Sequence, residues 1–143
     1  MRLRFAFAVN KENNFAKTHF GDADKYLIFS VESDKIRLSS EEVNNFKLLD
    51  EEYEHGSKLK GNAIIKFLKE KNVNALVSTQ FGKNINLVNK HFIPIKVSQE
   101  QQDEVIDVLY KNLHWIQDEW KNNTSGYKLF TIKSGILKSP IDK

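Results

Sequence analysis

No cysteine occurs among the 143 residues, which excludes a disulfide framework and any metal centre held by thiolates. No apolar run approaches the length needed to cross a bilayer. Met1-Arg2-Leu3-Arg4 and the short apolar stretch to Val9 lack the long hydrophobic region and small-residue cleavage site of a signal peptide, so a cytoplasmic location and no membrane partner are expected. The formal net charge of +3 is mild and its basic residues are scattered, whereas nucleic-acid-binding domains gather them on one face or segment. No nucleic-acid partner is expected. A phosphate loop of the G-x-x-x-x-G-K-[ST] type is missing, and no Ser-His-Asp arrangement follows from the spacings, so no enzymatic activity is expected.

What is present suits a globular α/β chain. Hydrophobic residues make up 40% and charged residues 29%, enough apolar material for one core and too much for disorder. Leu3, Phe5, Phe7 and Val9 alternate with Arg2, Arg4, Ala6 and Ala8, a period of two that predicts a strand whose small alanines admit a close-packed helix. A polar loop over 10–24 follows. Residues 26–31 and 35–40 read as a hairpin joined by Glu32-Ser33-Asp34. The acidic stretch with Glu41, Glu42, Asp50, Glu51, Glu52 and Glu54 reads as a long loop.

Leu59, Ala63, Ile64, Phe67 and Leu68 recur at helical spacing, with Ser57 as N-cap and Asn72 near the end. Residues 73–78 suit a buried central strand. A second helix follows Gly82 and ends near His91, and 93–97 forms a further strand that Pro94 assigns to an edge or a strand start. Ser98 to Gln101 matches a capping box opening a long helix with Val105, Leu109, Leu113, Ile116 and Trp120 on one face. Residues 127–132 read as an edge strand.

An antiparallel meander followed by crossovers gives a mixed five-stranded sheet of order 3-2-1-4-5 flanked by helices, with a C-terminal helix-strand extension. This α/β pattern resembles the ribonuclease-H-like architecture. The fold invites a nuclease reading, but two-metal cleavage needs converging carboxylates, one typically from the first strand. That strand carries no acid.

Arg4-Phe5-Ala6-Phe7-Ala8, His19-Phe20-Gly21, Tyr26-Leu27-Ile28-Phe29, and Asn74-Ala75-Leu76-Val77 followed by Gly82 together resemble the dinitrogenase iron–molybdenum cofactor biosynthesis family. The resemblance covers about residues 2–110 and implies a domain over 1–112, with 113–143 as an extension packed on it. It implies a non-enzymatic binding or carrier role for an iron–sulfur or iron–molybdenum cluster or its precursor, with cluster donor or acceptor proteins as partners. The family's His-Phe-Gly motif falls on His19, Phe20 and Gly21, and its glycine after the fourth strand on Gly82. Many members carry His or Cys in the loop before the first helix, where this chain has only His55. The alternative is a protein-interaction or small-anion-binding module that keeps the fold without a metal.

If strands one and four are parallel neighbours, the loops after both emerge at one end of the sheet, where open α/β sheets bind ligands. His19 then converges with Gly82 and Lys83, and strand three brings His55 within reach. Gly82 opens a helix whose free amides favour an anion, and Lys83 adds charge. Imidazole suits iron, so His19 and His55 are the candidate metal ligands; each is otherwise an ordinary loop histidine. His91 belongs at the other end of the sheet, charged at a helix C-terminus, and His114 reads as structural.

Overall fold

The computed structural model describes residues 2–33, 35–47, 56–98, 100–133 and 135–141. The alternation at the N-terminus forms β1 (Arg4–Val9), followed by β2 (Lys25–Glu32) and β3 (Lys35–Val43). Next come α1 (Gly56–Glu70), β4 (Ala75–Ser78), α2 (Ile85–Val88) and β5 (Ile93–Lys96). The chain continues as α3 (Gln102–Lys111), α4 (Leu113–Asn122), β6 (Leu129–Ile132) and β7 (Ile136–Ser139). The described strands form one seven-stranded sheet of order β3-β2-β1-β4-β5-β6-β7. The expected order 3-2-1-4-5 lies within it, and two further strands lengthen it.

The two sides of β1 face different helices, as its alternation requires. Phe5, Phe7 and Val9 share a buried cluster with Val105, Leu109 and Ile116 of α3 and α4. Ala6 and Ala8 lie in the other cluster with Ile64 and Leu68 of α1, where the missing side-chain bulk lets the helix approach. Asn72, in the left-handed region at φ 62°, ends α1 as asparagine can at that position. No described helix is long and apolar enough to cross a membrane.

Several local expectations need correction. The acidic stretch is not all loop, because β3 runs on through Glu41 and Glu42 to Val43, paired with Lys25, Tyr26 and Leu27. Asp50, Glu51, Glu52, Glu54 and His55 lie outside the described residues. Ser57 is the second residue of α1 rather than its cap. Pro94 sits in an internal strand. Ile93 and Val97 donate their amides to Asn74 and Ser78 on the β4 side, so the donor that proline lacks faces β6, whose pairing with β5 starts only at Ile95.

The capping box forms three residues later than expected, between Gln101 and Glu104. Glu104 accepts the Gln101 amide at 2.9 Å, while Glu100 takes the Ser98 amide at 2.8 Å. A carboxylate is the stronger acceptor at a helix N-terminus. The long helix is broken at Asn112, whose backbone leaves helical values (φ −123°, ψ 21°) and whose side chain donates to the Val108 carbonyl at 2.8 Å. Asparagine competes with the helical ladder in this way.

The extension belongs to the same sheet. β6 is not its edge; β7 is. Trp115 packs edge-on against Phe130 at 5.5 Å and Trp120 stacks on Tyr127 at 5.1 Å. Between them Glu119 is only 3% exposed, and its carboxylate accepts the Lys128 amide and the Asn123 side chain, both at 2.9 Å, beside Lys138 at 3.4 Å. A buried charge so partnered ties α4 to both terminal strands.

Candidate functional site

β1 and β4 pair in parallel, with Phe5 beside Ala75 and Phe7 beside Val77, so their following loops share one end of the sheet. The loop after β1 opens on a tight turn in which Asn10 Oδ1 accepts the amides of Glu12 and Asn14, both at 3.0 Å. It is then joined to the loop after β4. Thr79 Oγ1 donates to the Ala16 carbonyl at 2.6 Å, Gln80 Nε2 to Lys17 at 3.1 Å, and the Phe20 amide to Gln80 at 3.0 Å. His19 itself forms a parallel bridge with Gln80.

Phe20 is the anchor of the motif. Its ring is buried 6.0 Å from that of Phe81, and its carbonyl accepts the Tyr26 hydroxyl at 2.7 Å. Burial, and then the Asp22 charge, push the Tyr26 phenol upward, so it remains a donor. The Gly21 carbonyl accepts Asn44 Nδ2 at 3.0 Å, and the same nitrogen donates to Ala23 at 2.8 Å. Asn44 follows β3, so the loops after β1, β3 and β4 meet at one end. Lys60, buried on α1, pairs with Asp22 there. A methyl on Gly21 would meet the Lys60 and Ile64 side chains at 3.5 and 3.6 Å, ordinary contact, so space does not demand glycine at that position.

Gly82 is different. Its φ is +62°, and a Cβ there would lie 2.8 Å from His19 Cε1 and 3.0 Å from both ring nitrogens. The exposed imidazole of His19 therefore rests on the glycine, and no residue with a described side chain is seen to hydrogen-bond its ring nitrogens. Lys83 is exposed beside it. A cleft of about 550 Å³ opens at the same strand ends, lined among others by Asn10, Lys17, Thr79, Ser98 and Gln101.

The loops after β1 and β4 thus bring His19 onto Gly82 and Phe20 beside Phe81, with Gly21 and Lys83 next to them in sequence, and His55 lies outside the described residues. Gly82 does not open a helix with an appreciable dipole, contrary to expectation: Gly82–Asn84 is a single 3-10 turn leading into the four-residue α2, too short for dipoles to add. Among the described residues, no three side chains of the metal-ligating types are placed to share an ion. The sequence reading missed Asn44, Lys60 and Thr79. Thr79 was within reach of the strand-end rule that found Gly82; a lysine on an amphipathic helix gives no sign that it is buried.

His91 precedes β5 and so stands at the opposite end of the sheet. It is not the charged cap expected: burial, and then the Lys69 and Lys90 charges, hold its pKa below the ordinary value, with Nδ1 3.4 Å from Lys69 Nζ. The fold therefore favours neutral His91. Its contribution to stability is present above the unfolded-state pKa of about 6.5 and lost as pH falls through that value to the folded one. Thermal unfolding between about pH 7 and pH 5 should show a shallower loss for His91→Gln than for wild type; parallel curves would refute this.

No curated protein shows significant similarity to the chain. The family model described as dinitrogenase iron-molybdenum cofactor matches residues 1–112, from β1 through α3, the part that builds this rim. With more than half its length matched and the rim motifs within the match, the chain belongs to the dinitrogenase iron-molybdenum cofactor family.

Proposed function

We propose that this protein is a non-enzymatic binding or carrier protein for an anionic iron–sulfur or iron–molybdenum type cluster, or its precursor, taken at the strand-end rim. The observation that carries the reading is the exposed His19 imidazole, seated on Gly82. Family membership supports it. Lys83 and Lys17 supply positive charge at the same end, which suits a cargo of net negative charge.

The donors fit a cargo that arrives with most of its own coordination sphere. The chain has no cysteine, and the described residues offer the rim one imidazole. Such a site binds through one exchangeable bond plus electrostatics, which favours transfer between donor and acceptor proteins over permanent retention. The ribonuclease-H-like reading of the 3-2-1-4-5 core goes with this role, since its strand-end rim is the part used.

A small-anion-binding module is the second reading, favoured by the same sparse donor set. Anaerobic reconstitution with iron and sulfide, followed by visible absorption of the repurified protein, distinguishes the two. Cluster absorption that travels with the protein is the expected outcome. Phosphate binding at His19 without any cluster absorption would replace the carrier reading with the anion module.

A further inference from the structure

We infer that β3 is a self-association edge, pairing antiparallel with β3 of a second copy so that the two sheets become continuous. β3 is nine residues long and ends the sheet, with no described strand outside it. Its outer row of backbone donors and acceptors is a template for another strand. A bulge at Ser39, where Ile28 pairs with Ser40 and Phe29 with Leu38, resets the alternation. Ile36, Leu38, Glu41 and Val43 consequently share one face with Phe29 and Leu27, while Lys35, Arg37, Ser40 and Glu42 share the other. Leu38 is 53% exposed and Val43 63%, and both stand on the same face of this edge.

The charges select the occupant. Lys35 and Arg37 lie at one end of β3, Glu41 and Glu42 at the other. An antiparallel copy reverses that order and can set one base, Arg37, against one acid, Glu42. With a two-fold axis between Ser39 and Ser40, Arg37 faces Glu42 of the second copy and Ile36 faces Val43, each twice by symmetry. Every such pair stays on one face of the joined sheet, as direct cross-strand neighbours must. The interface is isologous and closes at two copies. Bulges and charges normally blunt an edge strand; here they leave open a partner whose charges run in the opposite direction, which is specificity by exclusion. Within each chain Arg37 also pairs with Glu32, and Glu42 with Lys71 at 3.5 Å. The Arg37 pair is a surface contact of the kind that is readily exchanged, whereas Glu42 is half-buried beside Lys71 and would have to turn outward.

Sedimentation equilibrium of the full chain at about 0.1 mM tests the proposal. Wild type should show twice the monomer mass of 16.6 kDa. Arg37→Glu and Glu42→Arg should each weaken association about tenfold, since each sets two like-charge pairs across the axis. The double variant R37E/E42R restores complementarity and should dimerise like wild type. Leu38→Glu, opposite Glu41 of the second copy, is an independent disruptor at an exposed position should either reversal fold poorly. A wild-type monomer at this concentration would overturn the proposal. So would a dimer indifferent to all three single variants, or one that the double variant fails to restore.

Discussion

Gly82→Ala is expected to lower the protein's affinity for a cluster about tenfold or more while costing about 1–2 kcal/mol of stability. The stability cost is that of an L-residue in the left-handed region, because Gly82 sits at φ +62°. The affinity cost has another origin. The new methyl would stand 2.8–3.0 Å from three atoms of the His19 ring, closer than such atoms approach, and the exposed ring is free to swing away. Moving a ligand out of place is comparable in effect to losing it. The two substitutions should therefore be non-additive: in a His19→Ala background, Gly82→Ala should cost stability but almost no further affinity. Additive losses of affinity would separate Gly82 from the histidine.

Phe7→Ala is expected to cost about 3–5 kcal/mol, the range for emptying a buried aromatic site. Phe7 is fully buried on β1, with its ring 4.6 Å from Phe29 and 5.2 Å from Phe15. Phe29 belongs to the neighbouring strand and Phe15 to the loop that leads to His19, so the cavity would loosen both the sheet and the rim. Domain stability is commonly 5–15 kcal/mol, and the variant would keep only part of it. Urea unfolding measures the loss; a change below about 1 kcal/mol would mean that the three-ring cluster does not hold β1 as described.

The sequence displays β1 plainly because the strand is buried on both sides by unlike material, aromatics toward α3 and alanines toward α1. The spacing of Ile64 and Leu68 is legible for the same reason, one face of α1 being committed to the core. The break at Asn112 is not legible, because the apolar stripe continues across it and only the asparagine's own hydrogen bond decides the matter. β7 is hidden by its shortness and its half-exposed pattern. Pro94 misleads because proline forbids only one side of a strand, and register, which no single segment contains, determines which side is free.

The candidate site divides in a similar way. Parallel pairing of β1 with β4 follows from pattern and topology, and with it the meeting of His19 and Gly82. The contact of imidazole on glycine depends on a backbone angle and a rotamer, which composition does not encode. Asn44 and Thr79 hold the loops through backbone carbonyls, and a polar residue used in that way looks like any other polar residue in a loop.

Anaerobic titration of wild type and His19→Ala with the same preformed iron–sulfur cluster, alongside thermal unfolding of both, tests the central claim most directly. The account predicts about tenfold weaker binding for the variant, a stability change of about 0.5 kcal/mol or less, and unaltered binding in a His91→Ala control at the far end of the sheet. Equal affinity in wild type and His19→Ala would contradict it.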